Sequence, residues 1–283
     1  MAVDNVKILV TGAEGQLGRA LVRAGGSTIT PVSSKLCDIT KPDQVFSCIR
    51  RVCPDVVIHC AAYTAVDMAE IEPEVCWQVN AVGTENIVAA CVEAGAVVML
   101  MSTDYVFDGT GTEPYGTAAT RNALNLYGRS KMAAEDLVRQ LDRYFIVRTS
   151  WMFGDGVNFV KQICQLGRER DRIDVVSDQI GSPTYSQDLA PVLLALAASG
   201  KFGTYHVTNE GYCSWADLAE EALRLMRINA KVRRVTSGQY RSVARRPLNS
   251  RMSKSSLDAV GYRRLPHWRE ALARYIEEYG ESI

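Results

Sequence analysis

In the run Tyr127-Gly128-Arg129-Ser130-Lys131 a phenol and an ammonium stand four residues apart, a spacing that sets both side chains on one face of a helix. A phenol titrates near ~10 and exchanges protons poorly at neutral pH, but a nearby ammonium favours its ionised form. Upstream, Ser102-Thr103-Asp104 closes an apolar run, and the Thr103 hydroxyl can hydrogen-bond the same substrate oxygen that Tyr127 would protonate. Alone, Y-x-x-x-K recurs in many helices as a surface aromatic beside a lysine stem. Ser102-Thr103-Asp104, just past the fourth strand at the carboxyl edge where open α/β sheets bind ligands, gives it weight here.

A second constellation is Thr11-Gly12-Ala13-Glu14-Gly15-Gln16-Leu17-Gly18, directly after the strand-like run Val6 to Val10. Gly12, Gly15 and Gly18 recur every third residue, which allows a tight turn, a close backbone approach to a pyrophosphate and packing of the following helix on the sheet. The helix N-terminus then meets the anion with free N–H groups. The spacing is G-x-x-G-x-x-G, not the commoner dinucleotide G-x-G-x-x-G, so an ordinary glycine turn is the competing reading. After the second strand the chain reads Val32-Ser33-Ser34-Lys35, with no carboxylate for a free ribose 2′-hydroxyl. Ser33 and Lys35 suit a 2′-phosphate, which favours NADPH over NADH. Asp38 and Ile39 follow as an adenine contact.

Other residues carry weaker signals. Trp151 stands at the end of the fifth strand, after Arg148-Thr149-Ser150, where its face can pack on a sugar ring. Arg246 lies in the basic run Arg241 to Pro247, suited to a diphosphate. His59, at the end of the third strand, reads as a hydrogen-bonded core residue.

The elements that must position these groups alternate. Strands are expected at 6–10, 28–32, 55–61, 96–101 and 144–148, and helices at 16–24, 40–51, 73–94 and 127–141, with Thr40 as the N-cap of the second. This rhythm predicts a doubly wound parallel sheet covered on both faces. Past Trp151 it loosens into helices near 158–170, 186–198, 214–227 and 267–279 with strand-like pieces at 173–176 and 204–207. The expected division is a cofactor domain over 1–150 and a mainly substrate-binding lobe over 151–283, with segments crossing between them.

Composition narrows the class. Lys+Arg and Asp+Glu are 32 each over 283 residues, so no global basic surface for nucleic acid or anionic membrane is expected. The 8 cysteines form no C-x-x-C pair and the 3 histidines have no metal-ligand spacing, which speaks against a disulfide framework and a metal centre. Met1 to Asn5 carries an acid where a signal peptide is basic, and no apolar run reaches the ~18 residues of a membrane span. A cytoplasmic location is expected.

With these residues assembled, the chain resembles the extended short-chain dehydrogenases/reductases, and among them the dTDP-4-dehydrorhamnose reductases. The likeness is carried by residues 11–18, His59 to Asp67, Ser102 to Gly109, Tyr127 to Lys131, Arg148 to Trp151, Asp178 to Thr184, and Arg246-Pro247. It implies a Rossmann-type sheet with a smaller C-terminal lobe. It also implies NADPH-dependent reduction of the 4-keto group of dTDP-6-deoxy-β-L-lyxo-4-hexulose to dTDP-L-rhamnose. By position Thr103, Tyr127 and Lys131 become the catalytic set. Gly15, Gln16 and Leu17 would meet the pyrophosphate, Asp38 and Ile39 the adenine, and Ala61, Ala62 and Tyr63 the adjoining ribose and phosphates. Thr103, Asp104, Tyr105 and Trp151 would meet the sugar. Some members dimerise through magnesium held by carboxylates, one of them two residues past the last glycine. That position is Ala20 here, so a monomer is the default expectation and a homodimer the alternative. A reductase of another dTDP-4-keto-6-deoxy sugar, and a non-catalytic subunit like the regulatory beta subunit of methionine adenosyltransferase, are the rival implications.

Overall fold

The computed structural model describes residues 6–282; Met1 to Asn5, read above for a targeting signal, lie outside them. The chain runs β1 (Ile8–Thr11), α1 (Gln16–Gly25), β2 (Ile29–Val32), α2 (Pro42–Val52), β3 (Val56–His59), α3 (Val66–Ile71), α4 (Pro73–Trp77), α5 (Gly83–Ala94), β4 (Val97–Thr103), α6 (Leu126–Val138) and β5 (Tyr144–Thr149). It continues through β6 (Met152–Phe153), α7 (Phe159–Glu169), β7 (Arg172–Val176), β8 (Ile180–Gly181), β9 (Thr184–Tyr185), α8 (Ser186–Ala197), β10 (Gly203–His206), β11 (Cys213–Ser214), α9 (Trp215–Leu225), β12 (Lys231–Val235), α10 (Ser255–Asp258) and α11 (Trp268–Tyr279).

Every residue of β1, β3 and β4 is buried, as strands covered on both faces must be, and each is an almost unbroken apolar run for that reason. They pair in a six-stranded parallel sheet of order β10-β5-β4-β3-β1-β2. Alternate side chains feed two cores. Ile8, Val10, Leu17, Leu21, Leu189 and Leu193 pack on one face with α1 and α8, and Leu9, Val57, Leu100, Ile146, Ile49 and Ile87 on the other with α2 and α5. Each such side chain contributes roughly 1.5–3 kcal/mol. The strip after Trp151 builds three two-stranded sheets, β6–β9, β8–β11 and β7–β12, over aromatic and aliphatic cores that include Phe153, Tyr185, Trp268 and Tyr275. The chain also re-enters the large sheet: β10 pairs with β5, and α8 packs against α1.

Two local expectations change. Residues 73–94 are helical throughout but not regular, since α4 and α5 are joined by a π-helical turn at Gln78–Val82. The wider turn sits where Asn80 turns its amide inward to Ser130 and the backbone of Tyr63. At the second helix Lys41, not Thr40, takes the N-cap position, because the Thr40 hydroxyl donates instead to the Asp38 carboxylate at 2.8 Å. All 8 cysteines are free, and most are buried. Among the described residues no helix is long and apolar enough to cross a membrane, and no cluster of acids, histidines and cysteines could hold a metal ion.

Gly18 shows how tightly α1 sits on the glycine turn: a Cβ there would meet the Gly12 carbonyl oxygen and lie 2.6 Å from Ala13 Cα. Gly18→Ala should therefore lose about 1–3 kcal/mol in urea unfolding through backbone overpacking. Gly116→Ala, whose Cβ meets nothing within 4 Å, should change stability by less than about 0.5 kcal/mol.

Candidate active site

The strand order turns outward in both directions from β1 and β3, and a cleft of about 450 Å³ opens at the carboxyl ends of β1, β3, β4 and β5. On one side lies the glycine turn. Gly12 has φ +64°, and a Cβ there would stand 2.7 Å from the Ala61 nitrogen, so only glycine lets β1 leave the sheet this close to the end of β3. No side chain caps α1, leaving its first N–H groups for an anion. Gly12, Gly15, Gln16, Leu17, Gly18 and Ala62 line this half of the cleft.

The other half is built by β4, β5 and α6. Parallel register sets Thr103 opposite Thr149. Thr103 then caps the short 3₁₀ turn Asp104–Val106, accepting from the Tyr105 N–H at 3.2 Å and donating to Asp104 Oδ1 at 3.0 Å. Asn125 caps α6 through the Gly128 N–H at 2.8 Å, which starts the helix one residue before Tyr127. The Tyr127 ring stands edge-on to Tyr105 with centroids 5.8 Å apart. Tyr127, Lys131, Thr103, Asp104, Tyr105 and Trp151 all line the cleft. Trp151 has φ +48°, a conformation that costs a non-glycine residue about 1–3 kcal/mol. It is held there by stacking on Trp215, with centroids 3.8 Å apart, and by the Thr184 N–H bonded to its carbonyl.

Burial controls the electrostatics. Lys131 is 2 % exposed, and desolvation draws its ammonium down to about 8, with Glu135 pulling the other way. The expectation that Lys131 lowers the Tyr127 phenol is reversed. Burial raises it first, the Thr103 hydroxyl lowers it, and the Asp104 carboxylate raises it again. Tyr127 therefore stays a phenol, the form that can give a proton away. Asp104 is pushed up to about 6 by burial, against the opposing pull of Ser250 and Thr103. His59 is a buried neutral imidazole bonded to the hydroxyls of Thr11 at 2.7 Å and Thr84 at 3.2 Å.

The remaining sequence-derived residues divide. Ala61 and Tyr63 follow β3 beside the cleft; the Ala61 N–H bonds Thr11, and the Tyr63 backbone is tied to Asn80. Ile39 is buried against α5, where a Cβ on Gly83 would meet it, and the Asp38 carboxylate accepts from Thr40. Ser33 lines a neighbouring cavity with Glu14 and Arg19, while Lys35 is exposed. Arg246 pairs with Asp67 at 2.7 Å and lines a third cavity, about 430 Å³, with Tyr105, Phe159 and Trp215. Sequence reasoning missed Cys60, Thr149, Ser150, Phe159 and Trp215 as lining residues. Trp215 is separated from the other motifs by a long stretch of chain, and only tertiary packing brings it under Trp151. Gln16 Oε1, Asp104 Oδ2 and Thr149 Oγ1 are buried in the cleft walls without hydrogen-bond partners, so this space fits a polar ligand that would satisfy them.

Residues 6–281 match the RmlD substrate binding domain family. The chain is 41% identical over 276 residues to a dTDP-4-dehydrorhamnose reductase of Streptomyces griseus, covering 93% of this chain and 91% of that protein. It is 36% identical over 273 residues to a dTDP-4-keto-6-deoxy-D-glucose reductase of Streptomyces niveus, covering 94% and 95%. A crystal structure of the dTDP-4-dehydrorhamnose reductase of Bacillus anthracis in complex with NADP superposes with a TM-score of 0.93 at 40% identity, covering 96% and 99%.

Asp104 gives this cleft a measurable cost. Its carboxyl is raised from 3.8 to about 6, so the folded state holds the proton more tightly than the unfolded one. The penalty is absent below pH ~4, grows as pH rises toward 6 and is complete above it. Asp104→Asn should be about 1–3 kcal/mol more stable than wild type in urea unfolding at pH 8. That gap should close as pH falls from 6 to 4.

Proposed function

The chain belongs to the dTDP-4-dehydrorhamnose reductase (RmlD) family of the extended short-chain dehydrogenases/reductases, and from that premise we propose that it reduces the 4-keto group of dTDP-6-deoxy-β-L-lyxo-4-hexulose to give dTDP-L-rhamnose, with NADPH as reductant. One observation carries the reading: the glycine turn and the set Thr103, Tyr127 and Lys131 line the same cleft. When bound, the reduced nicotinamide supplies a hydride to the sugar carbon.

The chain's own residues do the rest. Gly15, Gln16 and Leu17 hold the pyrophosphate at the N-terminus of α1. Thr103 orients the sugar carbonyl oxygen, and Tyr127, kept protonated by burial, donates its phenolic proton as the alkoxide develops. Lys131, on the same face of α6, holds the nicotinamide ribose. Trp151 offers a flat face to the sugar ring. Tyr105, Phe159 and Trp215 line both this cleft and the cavity holding Arg246. That continuity suits a nucleoside diphosphate, with the base among the apolar groups and the diphosphate near Arg246. Ser33 beside Arg19 supports NADPH over NADH.

A second reading keeps the chemistry and changes the sugar. The likeness to the Streptomyces niveus dTDP-4-keto-6-deoxy-D-glucose reductase favours it, since Thr103, Tyr127 and Lys131 serve any 4-keto sugar equally. Purified protein offered each dTDP-4-keto-6-deoxyhexose with NADPH or NADH should oxidise NADPH fastest with the L-lyxo sugar and yield the rhamnose nucleotide. Faster turnover of another sugar would move the assignment to the second reading, and no oxidation at all would sink both. Tyr127→Phe should lower kcat by about 10²–10⁴-fold while NADPH affinity, read by fluorescence titration, stays within about twofold.

A further inference from the structure

Outside the cleft, the most completely buried charge cluster lies one helical turn beyond Lys131. Glu135 has no exposed side-chain surface, and neither has Arg148. Its Oε1 accepts from Ser102 Oγ at 2.6 Å and Arg148 Nε at 2.7 Å, and its Oε2 from an Arg148 terminal nitrogen at 2.7 Å. Arg121 adds a bond at 3.2 Å and Arg139 an ion pair at 3.5 Å. Arg148 in turn donates to the Thr117 carbonyl, meets His206 Nε2 at 3.2 Å and covers the Phe107 ring.

An ion pair taken this far from water contributes little net stability compared with apolar side chains of the same volume, so its place in the chain is informative. Ser102 immediately precedes Thr103 on β4, Arg148 lies three residues before Trp151 on β5, and Glu135 is four residues from Lys131 on α6. One carboxylate thus ties together the three elements that carry the proposed proton donor, its hydroxyl partner and the aromatic platform. We infer that Glu135 is the positioning residue of this reductase: it fixes α6 against β4 and β5 so that Tyr127 meets Thr103, and it sets a carboxylate one helical turn from the Lys131 ammonium. This rests on the reductase reading above.

The surroundings of Lys131 make the second role specific. Cys60 and neutral His59 face it from the end of β3, Cys76 from α4, and Glu135 from its own helix. The thiols are themselves pushed up by burial, so they bring little negative charge. Around Glu135 the groups are Arg148 from β5, His206 from β10, Arg121 from the loop before α6, Asp136 on α6 and Arg139 at its C-cap. Burial already brings Lys131 to about 8. Without the Glu135 charge the ammonium loses its opposing carboxylate and gives up its proton at lower pH.

Three variants separate position from charge. Glu135→Gln should move the alkaline fall in kcat at least about half a pH unit lower. The alkaline weakening of NADPH binding, read by fluorescence without any sugar, should move with it. Glu135→Asp keeps the charge but shortens the reach: kcat should drop several-fold with the alkaline fall unmoved. Ser102→Ala should do the same, with KM for the sugar changed less than kcat. Thermal unfolding confirms that each variant is folded. If Glu135→Gln does not fold, Glu135→Asp and Ser102→Ala decide, and unchanged kcat in both overturns the inference. A folded Glu135→Gln with wild-type profiles overturns it as well. Failure of the wild type to reduce any sugar strikes the function reading instead, and the sugar-free binding profile still tests the charge role.

Discussion

The ammonium of Lys131 is almost wholly removed from water, and the architecture around it is what makes that tolerable. A buried lysine tends to shed its proton, because the low-dielectric interior penalises charge. Here the opposing field comes from Glu135, which is buried in turn and needs Arg148, Arg121 and Ser102 to remain ionised. Each partner pulls another element inward. Arg148 needs Thr117 and His206, and so brings in the loop before α6 and the outer strand β10. One buried charge has thus propagated into a network that joins both edges of α6 to the sheet, and the strand at the edge of that sheet arrives from the far end of the chain.

The topology supplies a second constraint. Ligand space exists where adjacent strands send their connections to opposite faces, and in order β10-β5-β4-β3-β1-β2 this point lies between β1 and β3. The backbones there nearly touch, since a Cβ on Gly12 would collide with Ala61. The glycine turn is therefore a packing requirement and an anion cradle at once. Thr103 and Thr149 share a rung of the β4–β5 ladder, which puts the hydroxyl partner of Tyr127 next to the strand leading to Trp151.

Much of this could be read from the residues in order. The parallel sheet, the glycine turn and the Tyr127–Lys131 face are local features: periodicity, turn chemistry and a four-residue spacing, each contained in a short window. What escaped has a common physical cause. The π-helical turn at Gln78–Val82 goes with the bonds Asn80 makes to Ser130 and Tyr63, partners far away in sequence. The upward shift of the Tyr127 phenol comes from burial and from Asp104, whereas spacing alone pointed to Lys131. Thr40 reads as a helix cap until the competing Asp38 carboxylate is in place. In each case a long-range or competing partner outweighed a correct local rule.

The division also explains why the reaction is easier to read than the sugar. Protonating a carbonyl oxygen needs few groups in a fixed relation, and two of them lie within one turn of a helix. Telling one hexose from an epimer needs several walls at once. On the proposed reading those walls come from β4, the segment after β5, α7 and α9, with Trp151 held at φ +48° by stacking on Trp215. A left-handed tryptophan is strained and persists only because its surroundings over-determine it, so its ring plane is set by the whole lobe. Any residue that shifts Trp215 or Gly181, which a Cβ would drive to within 2.8 Å of the Trp151 ring, tilts that plane while Tyr127 and Lys131 stay where they are. On the proposed reading, sugar preference can therefore change while Tyr127 and Lys131 keep their places.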